Sequence, residues 1–176
     1  DANTSLTSIL MKDPIYPFEV TLFYKVWAKE NIIEQWTEIK HKEKKPVLLQ
    51  KYASANLYFA GKDFYLTSFQ GEYLKEMQPI ETKLLQGIRT ADSKLGTRAM
   101  LLQTPNFMMS FGKPASENEG TVMIGHLAWS SNFKLDFEID SHKNLRLIAG
   151  INPFASEYSL APNEIFKTPS LIYALS

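Results

Sequence analysis

The chain has 176 residues, of which 44% are hydrophobic and 22% charged, a composition typical of a globular domain that excludes a disordered chain or a coiled coil. Its 19 basic residues balance its 19 acidic ones, and this zero net charge argues against nucleic-acid binding, in which phosphate contacts dominate affinity. The absence of cysteine excludes disulfides, thiolate metal ligands and a cysteine nucleophile. No apolar run approaches the ~20 residues of a membrane-spanning helix, so we expect no membrane span.

Alternation of apolar and polar residues dominates the first third of the chain and predicts strands with one buried face. Residues 5–11 and 32–40 are strand-like and flank the clearest early case, residues 18–27. In that central strand the predicted buried face comprises Phe18, Val20, Leu22, Tyr24 and Val26. The basic run at residues 40–45 follows and predicts a solvated hairpin turn.

The rest of the chain continues in the same way. Further strands are predicted, in chain order, at residues 47–52, 56–59, 64–69, 77–84, 88–91, 99–103, 107–111, 122–129, 133–140, 145–149, 157–160 and 170–175. Only residues 72–77 and 161–164 could form a helical turn. So many short strands, separated by turn residues, predict an all-β fold with almost no helix: a large antiparallel β-sandwich of two sheets.

Three carboxylates share one face of the predicted strand 133–140: Asp136, Glu138 and Asp140. A glycosidase needs two carboxylates on either side of a bound sugar, about 5–10 Å apart. These three instead stand side by side at about 7 Å intervals along one strand, and the opposite face is apolar throughout. We therefore interpret them as a solvated outer face rather than a catalytic pair.

The three histidines, His41, His126 and His142, show no spacing typical of a metal site. His41 and His142 fall in predicted turns, whereas His126 lies in the apolar run 122–129, where a hydrogen-bonded strand histidine is the simpler interpretation. Neither a nucleophile elbow nor a glycine-rich phosphate loop is present. The sequence therefore predicts no catalytic residue, no metal site and no cofactor.

Aromatic residues offer the remaining route to a ligand. Trp27, Trp36 and Trp129 could stack on sugar rings, but aromatic residues are also the normal filling of strand cores, and we favour the core or an interface of the β-sandwich for each of them. If the chain contacts sugar directly, the candidate substrate-binding residues are Trp129, Asn132 and His126.

Several segments occur in the order found in one known family. They are KDP at 12–14, EVTLFYKV at 19–26, NIIEQWTEI at 31–39, PVLL at 46–49, LAWSSNF at 127–133, GINPF at 150–154 and LAPNEIFKTP at 160–169. In their sum they resemble the N-terminal β-sandwich domain of glycoside hydrolase family 36, the bacterial α-galactosidases.

The resemblance implies a supersandwich that packs on a catalytic (β/α)₈ barrel of the same polypeptide, which supplies both catalytic aspartates. Residues 1–176 would then be a single non-catalytic N-terminal domain of a longer, multi-domain retaining glycosidase whose substrate is a terminal α-galactoside. The domain would support the barrel and the assembly of a homo-oligomer, and it should expose an apolar patch where the barrel packs. The compartment stays open between the cytoplasm and the periplasm or exterior of a bacterium.

Two other interpretations remain. The chain could be a stand-alone carbohydrate-binding β-sandwich module that uses exposed aromatic side chains. It could also be a structural or adhesion sandwich without a role in sugar binding.

Overall fold

The computed structural model describes residues 3–61, 63–99 and 101–176. The predicted all-β class is confirmed, since these residues form strands and one 3₁₀ helix, Gly96–Arg98. The strands are β1 (Thr4–Lys12), β2 (Phe18–Trp27), β3 (Ile32–His41), β4 (Val47–Leu49), β5 (Ala55–Phe59), β6 (Phe64–Gln70), β7 (Gln78–Lys83), β8 (Gly87–Asp92), β9 (Gln103–Phe111), β10 (Thr121–Leu127), β11 (Phe133–Ile139), β12 (Leu145–Ile151), β13 (Tyr158–Leu160), β14 (Ile165–Lys167) and β15 (Leu171–Leu175).

Two large antiparallel sheets dominate the fold, as predicted. The larger sheet has nine strands in the order β1-β2-β3-β15-β10-β9-β6-β7, with β14 added beside β3. The smaller sheet has four strands in the order β5-β12-β11-β8, and β4 and β13 form a separate two-stranded ribbon. Neighbouring strands in the larger sheet are often distant in the chain, so most contacts join residues far apart in sequence.

The core lies between the smaller sheet and the middle of the larger one. Strand β11 alternates buried and half-buried residues without a fault, so Phe133, Leu135, Phe137 and Ile139 all point inward. The ring of Phe137 meets Phe107 of β9 edge-on, with ring centres 5.3 Å apart. Gly125 of β10 makes room for Phe107, because a Cβ atom at this position would lie 2.2 Å from its ring.

One end of the larger sheet extends past the smaller one. The hydrophobic core contains no residue of β1 or β2, and every residue of β2 is half-buried rather than alternately buried and exposed. The prediction of one buried face for β2 is therefore wrong. Its other face is partly covered as well, because Phe23 stacks on Trp36 of β3 with ring centres 4.9 Å apart.

The prediction of a strand at residues 99–103 is also wrong. The described residues there follow the 3₁₀ helix in a local turn, and β9 begins only at Gln103. Backbone bonds from Ala99 to Gly96 and from Leu101 to Arg98 close short rings, so these groups are not available to a sheet. Met100, which falls within this prediction, lies outside the described residues.

Smaller differences concern short elements. Strand β14, which the sequence did not predict, pairs with β3 through only three residues. Residues 72–77 and 161–164 form turns rather than helix: Lys75 donates its N–H to Glu72 O, and Glu164 donates its N–H to Ala161 O.

Candidate functional site

The carboxylates of β11 are held by neighbours on the outer face of the smaller sheet. Asp136 accepts hydrogen bonds from Thr90 Oγ1 at 2.7 Å and Lys134 Nζ at 2.7 Å. Glu138 pairs with the guanidinium of Arg146 on β12, whose Nε lies 2.7 Å away. The prediction of a polar outer face is confirmed for both residues. Each carboxylate forms an ion pair with a basic side chain of the same sheet.

Asp140 has a different task, at the hairpin between β11 and β12. Its carboxylate accepts the side-chain amide of Asn144 at 2.8 Å and the backbone N–H groups of His142 and Asn144. The Asn144 amide, followed by these N–H groups, holds the pKa of Asp140 below its usual value. The Asp140 carboxylate thus stabilises the turn by accepting these hydrogen bonds. His142 lies exposed in the same turn.

His41 is not in a solvated turn, and that prediction is wrong. It is the last residue of β3 and is fully buried. Its Nε2 lies 2.9 Å from Leu160 O, its Nδ1 lies 3.1 Å from the N–H of Glu43, and its ring stacks on Phe18. With both nitrogens in use, a neutral imidazole that donates from Nε2 satisfies the site.

His126 lies on the face of β10 that points away from the core. Its Nδ1 is 2.6 Å from Asn106 Oδ1 on β9, and partial burial lowers its pKa. The described residues contain no group of three or more His, Asp or Glu side chains that could hold a metal ion.

Trp129 and Asn132 belong to a corner that fixes two loops. Trp129 Nε1 donates to Asn132 O at 3.1 Å, and Asn132 Oδ1 accepts the N–H of Gly96 at 2.6 Å. Asn152 donates its own N–H to Asn132 O and is buried. The structure therefore brings Trp129 and Asn132 together but bonds His126 elsewhere, and sugar binding by these three residues stays a prediction.

The other tryptophans have covered faces. Trp36 is buried between Phe23 and the ammonium of Lys167, which lies 4.6 Å from its ring centre. Trp27 is half-buried and carries Lys25 Nζ at 4.4 Å from its ring centre. These contacts favour sheet packing over an open platform for sugar rings.

A groove of about 260 Å³ runs beneath the overhanging end of the larger sheet. Its lining comes from β2, β3, the start of β5 and the segment before it, and it includes Val20, Leu22, Ile39, Tyr52 and Ala53. Gln35 lies at its floor and is buried; its Nε2 lies 3.3 Å from Tyr24 Oη, while its Oε1 has no hydrogen-bond partner among the described residues. None of the lining residues is Asp or Glu, so the groove lacks the pair of carboxylates that glycoside hydrolysis uses.

Among the exposed apolar side chains of the described residues, one group lies on β1 and another on two joined loops. The β1 surface comprises Leu6 and Leu10 on one face of the strand and Ile9 and Met11 on the other, all of them 45–60% exposed. The loop surface comprises Tyr73, Leu74, Leu101 and Leu102, whose two loops are joined by a bond from Gly71 N–H to Leu102 O. Clustered exposed apolar side chains mark interaction sites more often than isolated ones do.

Among the described residues, no helical segment has the length and apolar character that a membrane crossing requires.

Comparison with known proteins gives the same family as the ordered sequence motifs. The family model described as "Glycosyl hydrolase family 36 N-terminal domain" matches residues 1–161. Alpha-galactosidase AgaA from Geobacillus stearothermophilus is 28% identical over 168 residues, which are 96% of this chain and 23% of that protein. Alpha-galactosidase Mel36A from Lactobacillus acidophilus is 26% identical over 96% of this chain and 23% of its own length.

Solved structures give the same result. The crystal structure of the GH36 alpha-galactosidase AgaA from Geobacillus stearothermophilus superposes with a TM-score of 0.93 and 27% identity, over 99% of this chain and 24% of that one. The alpha-galactosidase from Lactobacillus brevis, at 22% identity and a TM-score of 0.92, shares the fold over 98% of this chain. The chain thus spans about a quarter of the length of the relatives it matches.

Proposed function

Because the chain belongs to the family of glycosyl hydrolase family 36 N-terminal domains, we propose that it is the non-catalytic domain of an α-galactosidase-like retaining glycoside hydrolase. The longer polypeptide would hydrolyse terminal α-galactosides in carbohydrate metabolism. The observation that carries this proposal is the match over nearly the whole chain to only about a quarter of each α-galactosidase.

The chemistry of the described residues supports a non-catalytic role. The carboxylates of β11 are paired with cations of their own sheet, and Asp140 caps a turn. A retaining glycosidase needs two carboxyl groups about 5–5.5 Å apart across the sugar. In this proposal the catalytic pair is supplied by a (β/α)₈ barrel elsewhere in the polypeptide.

The second part of the proposal is mechanical. The domain supports the barrel and contributes to oligomer assembly, and the loop surface is the side against which the barrel packs. Its four apolar side chains are 41–78% exposed, and burying a large apolar side chain contributes about 1.5–3 kcal/mol. A barrel seated there would remove this surface from water.

Three samples test the support role: the longer protein, the same protein without residues 1–176, and a mixture of this shortened protein with the isolated chain. We expect the shortened protein to unfold at lower temperature and to lose activity on an aryl α-galactoside faster on warming. The isolated chain should restore part of this loss. A shortened protein as stable and active as the longer one would contradict the support role.

Substitution at the loop surface localises the contact. Leu101→Asp with Leu102→Asp in the longer protein should reproduce the effect of deletion, because two charges would be buried without partners. Ile124→Asp is the matched control: Ile124 is 57% exposed and lies on β10, away from the loop surface. An equal loss from the control would show that the barrel does not pack on the loop surface.

A stand-alone carbohydrate-binding module is the alternative from a different class. The covered faces of Trp27 and Trp36 give it no support, since such modules stack sugars on open aromatic rings. Calorimetric titration of the isolated chain with methyl α-galactoside distinguishes the two functions. Our proposal expects no heat of binding at millimolar ligand, and saturable binding would favour the module.

A further inference from the structure

Strand β1 is an exposed edge that lacks the usual protection. It ends the nine-stranded sheet, and eight of its nine residues are exposed. Proteins normally protect long edge strands with proline, bulges, inward-pointing charges or a covering element. The sequence of β1, TSLTSILMK, has no proline and one charge, Lys12 at its end, and its pairing with β2 is continuous without a bulge.

The phase of the hydrogen bonds shows which backbone groups face outward. Asn3 O accepts the N–H of Ala28, and Asp13 N–H donates to Phe18 O, so both ends of the hairpin bond to β2 through odd-numbered residues. Antiparallel ladders alternate from one residue to the next. The backbone groups that point to the open edge therefore belong to Thr4, Leu6, Ser8, Leu10 and Lys12.

We propose that this edge pairs with β1 of a second copy of the chain, antiparallel about a two-fold axis at Ser8. In this register Ser8 lies opposite itself, and all five outward-facing residues of each strand find a backbone partner. Strand β1 would then be the surface through which the domain contributes to oligomer assembly. The relevance of this pairing to the longer protein rests on the proposed function.

The side chains of β1 are self-complementary in this register. Leu6 lies opposite Leu10 of the other copy, so four leucines form one apolar cluster on one face of the joined sheet. Ile9 lies opposite Thr7 on the other face, and Lys12 lies opposite Thr4, which keeps like charges apart. An axis moved to Ile9 would place Leu6 opposite Lys12 and leave the strand ends unpaired.

A single cysteine tests the register. The chain has no cysteine, so Ser8→Cys introduces the sole thiol. Residues directly opposite in a hydrogen-bonded antiparallel pair have Cα atoms about 5.5 Å apart, within the range of about 4.4–6.8 Å that a disulfide spans. Oxidised S8C should therefore run mainly as a covalent dimer on a non-reducing gel.

Ser5→Cys is the matched control. Ser5 is equally a serine on β1 and is exposed, but it lies opposite Met11 in the proposed register. The two Ser5 positions would be about 20 Å apart, from six residues at about 3.4 Å each. S5C should remain monomeric on the gel, and cross-linking of S5C to the same extent as S8C would overturn the register.

A charge swap tests the interface without cysteine. In sedimentation velocity the parent chain should be a dimer, and L6K/L10K should be monomeric, since lysines would face each other across the axis. L6K/L10E should return to the dimer, because each lysine then faces a glutamate. Leu6 and Leu10 are 53–60% exposed, so all variants should keep the circular dichroism of the parent.

The failures are distinguishable. A dimeric parent with a dimeric L6K/L10K variant would overturn pairing through β1 but leave the assembly role of the domain. A monomeric parent, with S8C that does not cross-link, would overturn both the pairing and the assembly role.

Discussion

Gly125 shows how one residue sets the packing between the two sheets. The position has no side chain because the ring of Phe107, which is 1% exposed, occupies the space. Phe107 in turn meets Phe137 of the opposite sheet. The glycine therefore lets the two aromatic rings meet in the centre of the core.

We predict that Gly125→Ala lowers the free energy of unfolding by about 1–3 kcal/mol, because the methyl group overpacks a filled core. Urea denaturation followed by circular dichroism measures the change. The second substitution Phe107→Leu should recover part of the loss in the G125A background, although it is destabilising alone. A G125A protein as stable as the parent would contradict this account of the core.

Because the pKa of His126 is lowered, we predict that the free energy of unfolding depends on pH. Burial lowers its pKa below the ordinary value of 6.5, so the unfolded chain binds a proton more readily than the folded one. The stability that the neutral form contributes is fully present above about pH 6.5 and is lost as pH falls from there toward the lowered pKa. His126→Gln should flatten this loss in melting temperatures recorded between pH 7.5 and 5.

The control for this measurement is His142→Gln. His142 lies exposed in the hairpin after β11, so its replacement should leave the decline on acidification as in the parent. If H126Q and the parent lose the same stability over this range, His126 is not the group responsible.

At the scale of single elements, β11 carries its core residues on one face and its charged residues on the other. Phe137 is fully buried, whereas Asp136 and Glu138 lie on the other face beside Lys134 and Arg146. Phe137→Ala should cost about 3–5 kcal/mol of unfolding free energy through the cavity it leaves. Asp136→Asn with Glu138→Gln should cost no more than about 1–2 kcal/mol in the same urea titration, since each removes one partly exposed ion pair.

A large loss from the double substitution, or a small one from F137A, would contradict the assignment of the two faces. The arrangement also bears on function, because Asp136 and Glu138 are paired with cations on one outer face of a strand, whereas a catalytic pair faces the sugar from two sides.

The strands that the sequence predicted well are those in which both faces find their partners within the chain. Strand β11 has a core on one side and paired charges on the other, so its alternation is visible in the residues alone. Strand β2 has its faces only partly covered, and its pattern therefore did not translate into one buried face. The segment before β9 contains the exposed residues Leu101 and Leu102, whose apolar character is also typical of a strand.

Burial of His41 could not be predicted from local sequence. Its partner Leu160 is 119 residues away, and the pairing exists only once β13 and β14 fold back over the end of β3. The corner that joins Trp129, Asn132 and Asn152 is similar, because its hydrogen bonds join loops that are distant in the chain. Nothing in the alternation of residues signals such contacts.

At the scale of the whole molecule, the ordered motifs predicted both the sandwich and the family, and both are confirmed. The described residues place Asp136, Glu138 and Asp140 in structural contacts, and the absence of a catalytic pair from the chain stays a prediction. The β1 surface could not be predicted in the same way, because it depends on which strand ends the sheet.

The measurement that tests the central claim most directly is turnover of an aryl α-galactoside by the isolated chain. We expect no release of the aryl group above the rate of the uncatalysed reaction at any pH from 4 to 8, while the longer protein releases it readily under the same conditions. Saturable hydrolysis by residues 1–176 alone, abolished by D136N/E138Q, would show that the chain carries its own catalytic carboxylates and would contradict the account.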